Sequence, residues 1–342
     1  MKIALTVDPE IPVPPIYYGG IERIVSMLID EYKLAGHEVT LFANEHSKTD
    51  ATLISYPGKR CKSGMDTLRN IHLISNEIYK GDYDVLHSFS RLAYITFVLP
   101  FKMPKIMSYQ RKPTLSQVQK ALKLSYKHSL MFTGCSDFIT KQIKPYGPAT
   151  TVYNGFPEDS YHHSTAIATD PPLVFLGRVE PIKGPHHAIE IAKRTHKKLI
   201  IAGNITAEYQ QYFDEKIAPL IDENQIFYIG QVNDSEKDEL LSQALALLMP
   251  IEWDEPFGIV MAEAMACGTP VIALARGAVP EIIKQGVTGF SCDNIDDCVE
   301  KVFIVNQLDR DAIRQEATLR FGSKVIAETY LELYQEMIDI NI

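Results

Sequence analysis

Residues 254–270 read Asp-Glu-Pro-Phe-Gly-Ile-Val-Met-Ala-Glu-Ala-Met-Ala-Cys-Gly-Thr-Pro. Pro256 and Gly258 suit a tight turn into a helix, and Gly268 with Pro270 ends that helix before the apolar run 271–273. A helix opened by a small residue directs backbone N–H groups outward, where an anion is favoured. Glu255 and Glu263 stand eight positions apart. On one helix that spacing amounts to about 12 Å. Retaining glycosidases hold their two carboxylates ~5–5.5 Å apart, so a paired-acid hydrolase fits poorly. A carboxylate within the helix suits a ribose diol instead, as in dinucleotide folds. The competing reading, an amphipathic helix with a solvated Glu, fits this segment less well.

Working outward, short apolar runs alternate with helical periodicity on both sides of this block. Upstream, strands are expected at 3–7, 37–42, 84–87, 105–109, 131–135 and 150–153, with an amphipathic helix carrying Ile21, Ile24, Val25, Leu28 and Ile29 and stopping at Gly36. A weakly patterned stretch, 154–172, reads as a linker. A second series follows, with strands at 173–176, 198–202, 225–229, 246–249, 271–273 and 289–291, and helices from about Asp309 to the end. Such alternation indicates parallel sheets covered on both faces. Two α/β halves of similar length are expected, with ligands beyond the carboxyl ends of the strands and the cleft between the halves as the default site.

The segment Gly177-Arg178-Val179-Glu180-Pro181-Ile182-Lys183-Gly184 follows the first strand of the second half. Two cations and two glycines at a strand-to-helix turn are what a diphosphate needs: fixed positive charge and close backbone approach. Arg and Lys in a loop are more often merely solvated, so this segment gains weight only beside 254–270.

Composition agrees with a globular chain. Of 342 residues, 46% are hydrophobic and 23% charged, which excludes disordered, collagen-like and coiled-coil classes. At ~150 residues per domain, two domains are expected. Five cysteines without a CxxC pair suggest reduced thiols and neither disulfides nor a zinc site. Asp8 interrupts the start, where an export signal would still be apolar, so a cytoplasmic protein is expected. A net charge of −9 disfavours a nucleic-acid partner. Yet 85–136 has no Asp or Glu and eight bases, which leaves −17 on the rest. Within it, Leu115, Val118 and Leu122 form a stripe, with Lys120, Lys123 and Lys127 elsewhere around the turn. That is either an outer helix packed on its sheet or a basic amphipathic helix for an anionic membrane face or acceptor.

Together these motifs resemble glycosyltransferase family 4, the retaining GT-B enzymes that use nucleotide-diphosphate sugars. The E-x7-E signature is present as Glu255 and Glu263, and G-R-x4-K-G as Gly177 to Gly184. Tyr18-Gly19-Gly20-Ile21-Glu22-Arg23 matches the family's Gly-rich turn, Asn154-Gly155 its linker pair and Gly277-Ala278-Val279-Pro280-Glu281 its small-residue turn. The resemblance implies an α/β GT-B fold of two Rossmann-like domains facing across a cleft. One is an acceptor-side domain over 1–158, joined by 323–342 as a returning C-terminal helix. The other is a nucleotide-sugar domain over 170–322.

It further implies a metal-free, cofactor-free transfer from a UDP- or GDP-linked sugar to a glycan, small-molecule or lipid-linked acceptor, with contact to a membrane through 85–136. Arg178 and Lys183 would neutralise the diphosphate, aided by the amides of Gly19, Gly20 and Gly177. Glu255 and the backbone of Phe257, Gly258, Ile259 and Val260 would hold the sugar and distal phosphate, and Glu263 the ribose. Gly230, Gln231 and Val232 would lie near the base. The same fold also hosts nucleotide-sugar epimerases, hydrolases and inactive partner subunits, which are the alternatives.

The family's fourth strand ends in a site histidine two positions after another residue that is often histidine. Here His87 matches the first position, and Phe89 stands at the second. His87 is carried into the expected catalytic set, and Ser88, Ser90 or Arg91 would have to replace the contact a phenyl ring cannot make. Asp82-Tyr83-Asp84 spells a metal-binding D-x-D but reads as strand-opening chemistry. His162-His163 and His186-His187 lack partners at metal-ligand spacing and read as surface residues.

Overall fold

A computed structural model describes residues 1–17, 19–164 and 168–341. Tyr18 of the Gly-rich turn, 165–167 of the expected linker and Ile342 lie outside the described residues. The chain separates into two compact units, Met1–Asn154 with Ser323–Ile342, and Gly155–Gly322. The division falls between Asn154 and Gly155, at the start of the stretch read as a linker.

In the first unit the chain runs β1 (Lys2–Thr6), α1 (Gly20–Leu34), β2 (Glu38–Ala43), β3 (Thr52–Ser55), α2 (Gly64–Lys80) and β4 (Val85–Ser88). It continues through β5 (Lys105–Tyr109), α3 (Leu115–Leu124), β6 (Leu130–Gly134), α4 (Asp137–Ile143) and β7 (Ala149–Thr151). These strands form one seven-stranded parallel sheet in the order β3-β2-β1-β4-β5-β6-β7. β3 was not anticipated because it is a half-exposed edge strand, Thr-Leu-Ile-Ser, with no buried apolar run.

The second unit carries β8 (Leu173–Leu176), α5 (Pro185–Thr195), β9 (Leu199–Ala202), a single turn α6 (Gln210–Tyr212), β10 (Ile226–Gly230) and α7 (Asp234–Ser242). Then come β11 (Ala246–Met249), α8 (Ile259–Ala266), β12 (Val271–Leu274), α9 (Val279–Ile282), β13 (Gly289–Cys292), α10 (Ile295–Val302) and α11 (Arg310–Phe321). Its sheet is also parallel, in the order β10-β9-β8-β11-β12-β13. In each sheet the first strand is followed by neighbours on one side, and a later strand then starts the other side. The order therefore reverses once, between β1 and β4 and between β8 and β11. Loops that leave the carboxyl ends of these pairs diverge onto opposite faces and open a crevice there.

The last helix, α12 (Ser323–Asn341), packs on the first unit. Ser323 Oγ donates to Glu31 Oε1 at 2.5 Å, and Tyr334 hydrogen-bonds the Tyr32 hydroxyl at 2.8 Å. Tyr334 also meets His87 Nδ1 at 2.6 Å, while His87 Nε2 meets Ser108 Oγ at 2.6 Å. His87 is 0% exposed and Phe89 4% exposed, with the Phe89 ring against His87 and Tyr330. The structure thus places His87, carried into the expected catalytic set, in the core of the first unit, with both of its nitrogens engaged by α12 and β5. Ser88 and Ser90 are likewise buried and tied to Thr6 Oγ1 at 2.9 Å each, which leaves only Arg91 of the suggested substitutes exposed.

The basic stretch is less basic on the surface than its composition suggests. Lys105 is wholly buried, its ammonium donating to the carbonyls of Phe101 and Met103, and burial lowers its pKa to about 7. On α3 the apolar stripe turns inward: Val118 and Ala121 are buried, and Leu122 lies over Gly147. Lys120, Lys123 and Lys127 stay exposed. No helix among the described residues is long and apolar enough to cross a membrane. All five cysteines are buried thiols outside any disulfide.

Burial drives the His87 pKa down to about 3, against an ordinary value of 6.5. In the folded state it stays neutral where the unfolded chain protonates, so its contribution is intact above pH 6.5 and is lost as pH falls from 6.5 toward 3. The expected slope from this residue is ~1.4 kcal/mol per pH unit in that window. Denaturant titrations of wild type and His87→Gln between pH 7 and 4 check this. The variant should lose stability less steeply with acid, and equal slopes would contradict it.

Candidate functional site

α8 is apolar on every side except at Glu263, so it can only be a buried helix, and its one carboxylate must be paired. Glu263 Oε1 accepts from Lys237 Nζ at 2.6 Å and from the Tyr161 hydroxyl at 2.8 Å, and Lys237 also lies 3.1 Å from Asp234. Glu263 and Lys237 are each 6% exposed. The far end of α8 is closed by α11. Arg314 donates to the Ala266 carbonyl, and Arg310, also buried, donates to the Cys267 carbonyl at 3.4 Å. Cations on the last carbonyls of a helix oppose its dipole and leave the positive pole at the other end unshared. At that end the N-cap residue Gly258 takes a left-handed φ of 77° and has no side chain to cap the helix, and no acid occupies the first turn.

Glu255 lies ahead of this helix in the loop 250–258, so the separation of the two carboxylates is not a helical rise. Its Oε2 accepts from Lys183 Nζ at 2.7 Å and from the Trp253 indole N–H at 2.9 Å. The Lys183 ammonium also sits over the Trp253 ring, 4.5 Å from its centroid. Lys183 comes from the loop after β8 and Glu255 from the loop after β11, the two strands between which the sheet order reverses. Two glycines make that meeting possible. Gly184, at φ 75°, passes so close to the β11 loop that a Cβ would stand 2.0 Å from the Pro250 carbonyl oxygen. Gly277, at φ 59°, lies against Glu255, where a Cβ would be 2.4 Å from the Glu255 carbonyl oxygen. The next amide, Ala278 N–H, donates to that oxygen at 2.8 Å.

Arg178, the other expected cation, lies 2.8 Å from the buried Glu180 carboxylate. Gly177 is held by a hydrogen bond from its amide to the Ala202 carbonyl. Gly230 ends β10 with φ 78° and open space where a Cβ would be; Gln231 is exposed and Val232 half-buried beside it. Phe257 is a core residue, its ring edge-on to Phe321 at 5.5 Å, so only its backbone can face a ligand. Ile259 and Val260 are half-buried in the first turn of α8. The expected residues of the second unit thus all sit at the carboxyl ends of β10, β8 and β11, or on α8. Gly19 and Gly20 open α1 in the first unit, beside its own reversal point. Here Glu22 is buried and its pKa is raised to about 7, chiefly by burial and further by Asp8.

Four side chains of this arrangement were not singled out from the sequence: Trp253, Glu180, Lys237 and Tyr161. Trp253 is the only tryptophan and lies two residues from Glu255, a signal that was available. Tyr161 sits in the weakly patterned stretch, where nothing local marks it. Asp84 accepts from the Lys2 amide at 2.7 Å, in keeping with strand-opening chemistry for the D-x-D.

Comparison with known proteins supplies the context. Residues 18–160 match the family description Glycosyltransferase Family 4, and residues 158–315 match Glycosyl transferases group 1. The phosphatidyl-myo-inositol mannosyltransferase of Mycobacterium leprae is 25% identical, over 98% of this chain and 96% of that protein. AviGT4, a glycosyltransferase involved in avilamycin A biosynthesis, superposes with a TM-score of 0.75 at 24% identity, over 99% of this chain and 98% of that one. Anabaena HepE, solved with UDP and glucose, gives 0.75 at 19% identity, over 98% and 99%. These two solved structures share the fold.

The Glu263 cluster has a direct energetic consequence. Glu263→Ala strips a buried ammonium of its nearest carboxylate, and the expected loss is roughly 3 kcal/mol, the lower end for a broken buried pair because Asp234 remains. Lys237→Met added to Glu263→Ala should recover much of it. Denaturant unfolding of wild type, single and double variants checks this; a double variant no more stable than the single would contradict it.

Proposed function

The chain belongs to glycosyltransferase family 4, and we propose that it transfers a sugar from a nucleoside-diphosphate donor to an acceptor hydroxyl with retention of configuration. The observation that carries this reading is the cluster of Lys183, Trp253 and Glu255 at the strand-order reversal of the second unit, beside the uncapped start of α8. A crevice at such a point, with a helix N-terminus and a cation in it, is where a diphosphate is best held. That HepE was solved with UDP and the mycobacterial relative is named a mannosyltransferase supports the same donor class for this chain.

In this reading the diphosphate lies over the first turn of α8, where the amides of Ile259 and Val260 stabilise its charge. Arg178 and Lys183 swing from Glu180 and Glu255 onto its oxygens, supplying in place of a divalent ion the charge that stabilises the leaving group. Glu255, released from Lys183 but still held by Trp253, is free to accept from the sugar's hydroxyls. Gly230 to Val232 flank the base, and the outer oxygen of the Glu263 carboxyl faces the ribose. Neither glutamate is placed as a general base: Glu263 stays bound to the Lys237 ammonium, and Glu255, held by the Trp253 indole, is engaged by the sugar's hydroxyls. The acceptor's proton therefore passes to the leaving phosphate itself.

Calorimetry with nucleoside, nucleoside diphosphate and nucleotide sugar, in the uridine and guanosine series, tests the assignment. Arg178→Ala should weaken the diphosphate by about tenfold or more, the scale of a charged hydrogen bond, and leave the bare nucleoside unchanged. Glu180→Gln removes the competing carboxylate and should hold or tighten diphosphate binding. Equal losses of nucleoside and diphosphate in Arg178→Ala would contradict this placement of the phosphates.

A further inference from the structure

The histidine pair at the start of α5 has a partner that the sequence spacing hides. Glu252, in the loop after β11, projects onto His186 and His187, and one donor atom from each residue lies within 4.8 Å of the others. His187 Nε2 is 2.8 Å from Glu252 Oε1 and His186 Nε2 is 3.5 Å from the same oxygen. A tetrahedral zinc with ligands at about 2.0–2.2 Å sets its donors roughly 3.3 Å apart. The two histidine–carboxylate separations lie on either side of that value, and with all three donors within 4.8 Å of one another, side-chain rotation closes the site.

The outer contact of His186 points the same way. A metal-bound imidazole characteristically uses its second nitrogen on a hydroxyl, carbonyl or carboxylate, which fixes the ring and its tautomer. His186 Nδ1 meets the Tyr212 hydroxyl at 2.7 Å, leaving Nε2 as the ligand atom. His187 Nδ1 is buried with no hydrogen-bond partner among the described residues, and Glu190 Oε2, 3.7 Å away, is the carboxylate within reach of it.

We propose that His186, His187 and Glu252 form a site for a borderline divalent transition metal, with zinc as the fitting example and one position open to solvent. Two imidazoles and one carboxylate suit zinc, cobalt or nickel rather than magnesium or calcium. The Glu252 amide donates to the Ile182 carbonyl at 2.9 Å, so the same residue already ties the two loops of the candidate donor site together. A metal on its carboxylate fastens α5 to the loop that presents Trp253 and Glu255. It holds that loop in place and takes no part in the chemistry.

Untagged full-length protein, stripped with EDTA and desalted, is titrated with Zn2+ by calorimetry. Co2+ is titrated separately while the emission of Trp253, the only tryptophan and the neighbour of Glu252, is followed. Wild type should bind one zinc that His162→Ala and His163→Ala retain and that raises the melting temperature. His187→Ala and Glu252→Gln should each weaken it at least tenfold, and Tyr212→Phe by about tenfold through loss of the ring's orientation. Co2+ should quench Trp253 in wild type, with Zn2+ reversing the quench. The variants sit at the half-exposed surface and should melt like wild type without metal, which separates lost binding from lost fold. Zinc affinity in His187→Ala and Glu252→Gln equal to wild type, or Trp253 emission unmoved by Co2+, would overturn the proposal and leave a surface histidine–carboxylate pair.

Discussion

The second unit is organised around one constraint: the loops leaving β8 and β11 must diverge, yet their side chains must meet. Parallel strands joined by right-handed crossovers force the divergence. The meeting is then built by contact. Gly184 lets the β8 loop graze the Pro250 carbonyl, Gly277 lets the following turn lie on Glu255, and Glu252 bonds back to Ile182. Any side chain at either glycine would push the Lys183–Glu255 pair apart. Behind them α8 is fixed at one end by the arginines of α11, so its other end opens at the pair.

The electrostatics of this arrangement are balanced before any ligand arrives. Arg178 is matched by Glu180, Lys183 by Glu255 and Lys237 by Glu263. Buried or half-buried cations left alone would cost several kcal/mol each, and pairing removes that penalty. On the proposed function, an incoming diphosphate would exchange partners rather than fill a bare positive hole. Affinity is then set by the difference between phosphate and carboxylate as acceptors, added to the helix N-terminus, which has no competing acid. A site of this kind discriminates strongly by charge and geometry without a large standing field.

Much of this was legible in the sequence, because parallel strands are continuous apolar runs and helix boundaries carry Gly, Pro and Asn signals. The two sheets, the E-x7-E block and the G-R-x4-K-G turn are local patterns, and each falls where the alternation put it. What was missed depends on tertiary contact. β3 has no apolar run because it is an edge. Tyr161 reaches Glu263 from a stretch without periodicity, and Glu252 reaches His186 and His187 from more than sixty positions along the chain. The burial of His87 was hidden for the same reason: a polar residue ending a strand looks like a site, but here α12, which lies far along the chain, covers it with Tyr334. Lys105 was counted as surface charge although its neighbours' carbonyls bury it.

The central claim is that a nucleoside diphosphate binds on the second unit at the loops after β8 and β11. Hydrogen–deuterium exchange of the whole chain, with and without saturating UDP or GDP, tests it most directly, since backbone amides at 177–184 and 250–260 are the ones the ligand would cover. The account predicts slowed exchange in both segments together, with little change in β3 and α2 of the first unit. Saturated binding that leaves both segments exchanging as in the free protein would contradict it.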